Sequence, residues 1–189
     1  MTRRSAILVV VCMLFAIISG SIGSILYRRK WKPINLKKYI DTLTEIAEII
    51  IPETFTPGAK RAGVMPYIIT AIELNLTPFN KRTLLLGLED LENRCYDRYS
   101  LSFSHCSVEQ KIAALRHFEA KSNFNNIFLN KIKHKLIGPS FFELVKDLTV
   151  TAYCTSKIGA TQGLAYDHVP VDYVACTPLM RGQRSWATS

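Results

Sequence analysis

Chemical signatures are scarce in these 189 residues. The five cysteines form no Cys-x-x-Cys pair, which argues against a zinc or iron–sulfur site built on close thiolate pairs. No Cys-x-x-Cys-His haem attachment, glycine-rich phosphate loop, dinucleotide fingerprint or Gly-x-Ser-x-Gly elbow occurs either. No stretch alternates as a strand, and there is no internal repeat or low-complexity segment. Acid is missing from residues 1–30, which hold Arg3, Arg4, Arg28, Arg29 and Lys30. That cluster accounts for more than half of the net charge of +9. The remainder carries 19 basic residues against 15 acidic, or +4. This is a common surface balance without a Lys/Arg stripe interleaved with aromatics, so nucleic-acid binding is not indicated.

Charge is also missing from Ser5 to Tyr27, where Ala6 to Ile18 is almost wholly aliphatic. Arg3 and Arg4 precede this run, and small residues follow at Ser19, Gly20, Ser21, Gly23 and Ser24. Basic start, apolar centre and small-residue exit describe a secretory signal. A helix of about 21 residues would also rise about 31 Å, enough to cross a bilayer. Residues 1–27 therefore read as a signal peptide or a membrane anchor, and 28–35 as a basic linker. The cluster after the run opposes export by the positive-inside bias, but a cleavable signal weakens that test. Export is the favoured reading.

Residues 36–156 read as a compact all-α bundle of about five or six helices. Asn35 stands as an N-cap before Leu36, Ile40, Leu43, Ala47 and Ile50 at helical spacing, and Pro52 ends that run. Thr56-Pro57 predicts the start of a short helix with proline in its first turn. Tyr67 to Leu74 resumes a helical pattern. Thr77-Pro78 opens a longer helix with an apolar stripe at Leu84, Leu85, Leu88, Leu91 and Cys95. Glu89, Asp90, Glu92 and Arg94 are expected on its wet side. Ser107 to Gln110 and Ser140 to Glu143 are capping boxes. Asn125 to Ile137 reads as a basic amphipathic helix ended by Gly138-Pro139.

The final segment, 157–189, is different in kind. It is rich in aromatics yet broken by Gly159, Gly163, Pro170, Pro178 and Gly182, with neither the 3.6 nor the 2.0 period. A disordered tail would be poor in aromatics. The segment therefore reads as an extended ribbon ordered against a surface, its own domain's or a partner's. Tyr153, Tyr166, Pro170, Tyr173, Cys176 and Trp186 are the candidate docking residues, because large aromatics commonly anchor interfaces. Cys176 is a candidate for a bridge to a partner. The disulfide pattern of Cys95, Cys106, Cys154 and Cys176 stays open at this level. His105-Cys106 is the one adjacent base and nucleophile, but sequence neighbours rarely face each other productively. His117 and His134 sit on amphipathic helices and His168 in a turn, each more simply a surface histidine than a ligand.

Two stretches together resemble one family. The first runs Ile50-Ile-Pro-Glu-Thr-Phe-Thr-Pro-Gly-Ala-Lys-Arg-Ala-Gly-Val64. The second runs from Tyr153-Cys-Thr-Ser-Lys-Ile-Gly-Ala-Thr161 through His168-Val-Pro170 to Arg184-Ser-Trp-Ala187. They are similar to the small subunit, subunit 3, of the gluconate 2-dehydrogenase family, over about Leu36 to Ala187. The sequence departs from the family pattern at Ala6, where a bulky Phe or Leu is usual, and at Val171, where glycine is common.

The resemblance implies a non-catalytic subunit with no catalytic, cofactor or metal residues of its own. It implies a large subunit that holds FAD and oxidises a sugar or polyol, and often a multihaem cytochrome c subunit. It implies that the small subunit helps the flavoprotein to fold and be exported. Arg3 and Arg4 would then serve as a twin-arginine signal to the periplasm, and the complex would associate with the inner membrane. Two other readings stay open: a stand-alone periplasmic enzyme using His105, Cys106 or His168, and a membrane-anchored scaffold unrelated to redox chemistry.

Overall fold

The computed structural model describes residues 35–122, 138–165, 176, 178 and 181–187. The apolar segment with Arg3 and Arg4, the basic stretch at 125–137, and Tyr166, Pro170 and Tyr173 lie outside these residues, as do His134 and His168. The fold is all-α. Among the described residues there are six α-helices and no strand: α1 (Ile40–Ile50), α2 (Ala59–Ala62), α3 (Met65–Leu74), α4 (Pro78–Tyr99), α5 (Val108–Ser122) and α6 (Phe141–Thr155). A 3₁₀ turn, Leu36–Tyr39, precedes α1, another, Phe103–His105, joins α4 to α5, and a π-turn, Gly159–Gly163, follows α6. No helix among the described residues is long and apolar enough to cross a membrane.

Helix α6 is the hub, packing on α1, α3, α4 and α5 at once. Its sequence explains that position. Phe141, Leu144, Val145, Leu148, Thr149, Ala152 and Tyr153 recur at intervals of three and four and are all buried. The Thr149 hydroxyl inside that stripe is satisfied locally, Oγ1 donating to the Val145 carbonyl at 2.8 Å. The start is fixed by a complete capping box between Ser140 and Glu143. Phe118 of α5 meets Phe141 edge-on, ring centres 5.4 Å apart. From α4, Leu84, Leu88, Leu91 and Cys95 are buried along the predicted stripe, while Leu85 is only half-buried.

Thr77 caps α4, accepting from the Asn80 amide at 3.3 Å. Ser107 and Gln110 exchange both bonds of their box, at 3.3 and 2.9 Å. Three local expectations are corrected. Asn35 makes no side-chain cap, and the chain enters α1 through the 3₁₀ turn. Proline does not open the second helix; Gly58 is its N-cap and Ala59 its first residue. Glu92 is not a wet-side residue: it is half-buried, accepts from the Thr42 hydroxyl, and takes the Phe103 amide at 2.9 Å. A carboxylate that ties α1 and the α4–α5 turn to α4 is placed by tertiary contacts that helical period does not report. Glu89 and Asp90 are exposed as expected.

A second carboxylate works the same way. Glu45 on α1 pairs with Lys60 at 2.7 Å and with Lys111 of α5 at 2.9 Å. The Lys111 side chain is almost entirely buried, so this pairing keeps its ammonium from being an uncompensated interior charge.

Candidate functional site

The two sequence stretches singled out above meet around one side chain, Tyr153. It lies in the last turn of α6, and the stripe periodicity turns it inward, leaving it 6% exposed. Its hydroxyl donates to the Pro57 carbonyl at 2.7 Å, closing a contact between positions 96 residues apart. Burial pushes the Tyr153 phenol up, partly offset by Thr56 and Arg184 nearby. The group is therefore a neutral donor at physiological pH.

The Pro52–Pro57 loop that it grips is fixed from the other side by Glu48. That carboxylate accepts from the Lys60 amide at 2.8 Å and the Glu53 amide at 3.2 Å. It thus serves as a remote cap for α2, satisfying amides that short helices otherwise leave open. The Ala59 amide bonds back to the Ile51 carbonyl at 2.9 Å. Arg61 and Glu53 add an exposed ion pair at 3.0 Å. This set of contacts takes over the work expected of Pro57 as a helix starter. Phe55, at the middle of the loop, is left fully exposed.

Ser156 ends α6 and turns the chain. Its hydroxyl donates to the Tyr153 carbonyl at 2.8 Å and accepts from the Gly159 amide at 2.9 Å. Glycine is required twice in the turn that follows. A β-carbon at Gly159 would collide with the Tyr153 carbonyl oxygen, and one at Gly163 with the Tyr153 hydroxyl. The Ile-Gly-Ala-Thr stretch is thus moulded on Tyr153, and packing runs unbroken from α6 into the start of the C-terminal segment.

The far end of that segment returns to the same place. Ala165 donates to the Ser185 carbonyl and Ala187 donates to the Ala165 carbonyl, each at 2.8 Å, forming an isolated parallel bridge between Ala165 and Trp186. Arg184 donates to the Gln162 carbonyl at 2.9 Å. The backbone around Trp186 is therefore held to its own domain, while the indole is 60% exposed. Such a pairing leaves a large apolar group on an ordered backbone without covering it.

Of the expected docking residues, then, Tyr153 is occupied inside the domain, and Cys176 and Trp186 are exposed. Phe55 was not singled out in the sequence, although a phenylalanine set between two threonines and two prolines was the available signal. Glu48 carried no local signal, because its partners are chosen by the fold.

His105 and Cys106 are not brought together as base and nucleophile. Cys106 is buried and its thiol donates to the Ser102 carbonyl at 3.4 Å. His105 is exposed, with Nδ1 at 2.8 Å from Ser102 Oγ and 3.2 Å from Ser104 Oγ. His117 is exposed and stacks edge-on with Phe118. Among the described residues no group of three or more His, Cys, Asp or Glu could hold a metal ion. A cleft of about 310 Å³ lies between α1, α5 and α6, lined by Ile49, Ile112, Leu115 and Phe142, with Arg116 and Glu119.

Comparison with known proteins bears on this arrangement. The model of the family described as Gluconate 2-dehydrogenase subunit 3 matches residues 37–172, most of the chain. The match takes in α1 to α6, the gripped loop and the π-turn. No curated protein and no solved structure matches.

Proposed function

The chain belongs to the gluconate 2-dehydrogenase subunit 3 family, and on that premise we propose that it is a non-catalytic accessory subunit of an FAD-dependent sugar or polyol dehydrogenase. The flavoprotein subunit performs the oxidation, and a multihaem cytochrome c subunit carries electrons onward. This chain assists folding, export and stability of the flavoprotein at the periplasmic side of the inner membrane. Arg3 and Arg4 act in export. The C-terminal segment, with Tyr166, Pro170, Tyr173, Cys176 and Trp186, contacts the flavoprotein.

The observation that carries this reading is the pairing of an immobilised backbone with uncovered aromatics. Trp186 and Phe55 project from two stretches whose ends, Arg184 and Pro57, both lie beside Tyr153. Aromatic groups on ordered backbone bind with little further loss of conformational freedom. His105 is meanwhile engaged with serines, and Cys95 and Cys106 are buried.

Co-expression with the flavoprotein and affinity purification test the proposal. A yellow, flavin-bearing partner should co-purify with the native chain. The Phe55→Ala/Trp186→Ala pair should weaken capture by at least tenfold, equivalent to about 1.4 kcal/mol, without altering the melting temperature. Turnover of a sugar by this chain alone would overturn the accessory role. Undiminished capture by the double variant would overturn the docking face.

A further inference from the structure

Four hydrogen bonds place Cys95 and Cys106 side by side. Cys95 lies on the buried stripe of α4, three residues after Glu92 and so on the same helical face. Ser100 then adopts a left-handed conformation (φ 55°), ends α4 with its amide on the Tyr96 carbonyl, and reverses the chain. The Phe103 amide comes back to the Glu92 carboxylate at 2.9 Å. The 3₁₀ turn that follows closes with the Cys106 amide on the Phe103 carbonyl at 3.2 Å. The Cys106 thiol, donating to Ser102, is thereby turned to the interior. Cys95 is 0% exposed and Cys106 5%, and the Cys106 thiol lies close enough to Cys95 to oppose its ionisation. Cys154 and Cys176 are exposed.

We propose that Cys95 and Cys106 form an intrachain disulfide that locks the α4–α5 turn. The oxidant is a disulfide, either a small-molecule one or that of a thiol oxidoreductase. One cysteine thiolate attacks the oxidant's S–S bond and releases a thiol. The second thiolate then displaces the remaining half, giving the Sγ–Sγ bond and a second thiol. Two protons and two electrons pass in total from the pair to the oxidant. Burial and the neighbouring thiol push the Cys95 thiol up to about 12, so Cys95 is a poor nucleophile in the folded chain.

The full chain, denatured in detergent and refolded with oxidised and reduced glutathione, is blocked with iodoacetamide and digested with trypsin without reduction. Cleavage after Arg94, Arg98 and Lys111 separates the two cysteines. The peptides 95–98 and 99–111 should then appear joined, two hydrogens lighter than their sum. Alkylation of both cysteines, or a link from either to Cys154 or Cys176, overturns the pairing. In chain refolded without oxidant, Cys154 should label at least tenfold faster than Cys95 and Cys106, which react only after denaturation. Equal labelling of the three would remove the burial on which the pairing rests.

Discussion

The helical core and the clasp around Tyr153 are held by different physics. In the core, stability comes from apolar area taken out of water, roughly 1.5–3 kcal/mol for each fully buried aliphatic side chain. Leu43, Leu84, Leu88 and Leu91 are all at or near zero exposure. Around Tyr153 most contacts are single polar bonds to backbone, each contributing about 0.5–1.5 kcal/mol net. The core fixes where helices lie; the clasp fixes where two non-helical stretches lie on it. A region of the second kind can be loosened without unfolding the first.

The largest effect expected on this view is in the core. Leu88→Ala should cost about 2–5 kcal/mol by urea denaturation. A smaller cost would mean that the core is less dominant than its burial implies.

Next comes the Glu45 network, which ties α1 to α2 and α5. Burial pushes the Glu45 carboxyl up, but hydrogen bonds and charge from Lys111 and Lys60 outweigh it and hold it below its ordinary value. The folded state therefore binds the proton less readily than the unfolded chain. The contribution is complete above an unfolded value of about 4.3 and is lost as pH falls through the lower folded value. Glu45→Gln should cost of order 2 kcal/mol at neutral pH, less than the 3–5 of a fully enclosed pair. Denaturation midpoints measured from pH 7 down to 3 should fall less steeply in this variant than in the native chain.

Tyr153→Phe keeps the ring and removes only the bond to Pro57. A loss of about 1–2 kcal/mol is expected, with faster hydrogen exchange at the Lys60 and Ala187 amides and unchanged exchange in the centre of α4. Exchange that rises equally in α4 would merge the two regions into one cooperative unit. The smallest effect belongs to Arg184→Ala, an exposed bond to the Gln162 carbonyl. It should cost about 0.5 kcal/mol or less, yet shorten the protection of the Ala187 amide.

The same division decides what could be read from the sequence. Period and local capping act over a few residues, so the stripe from Leu84 to Cys95, the Thr77 cap and both capping boxes were legible. Contacts chosen by tertiary approach were not. Glu48 reaching across to Lys60, Glu92 reaching Thr42 and Phe103, and Glu45 reaching Lys111 depend on where helices pack. Tyr153 shows both sides of this. Its placement after Thr149 and Ala152 on the α6 stripe signalled an inward position, while its place at the head of the Tyr-Cys-Thr-Ser motif suggested a surface role. The stripe decided its orientation, and the motif supplied the turn moulded against it.

The bridge between Ala165 and Trp186 anchors both ends of the sequence between them on the domain. A partner that pulls on Trp186 therefore pulls on Ala165 as well. Force applied at Trp186 would be felt at Gln162 and Ala165, and through Tyr153 at the loop bearing Phe55.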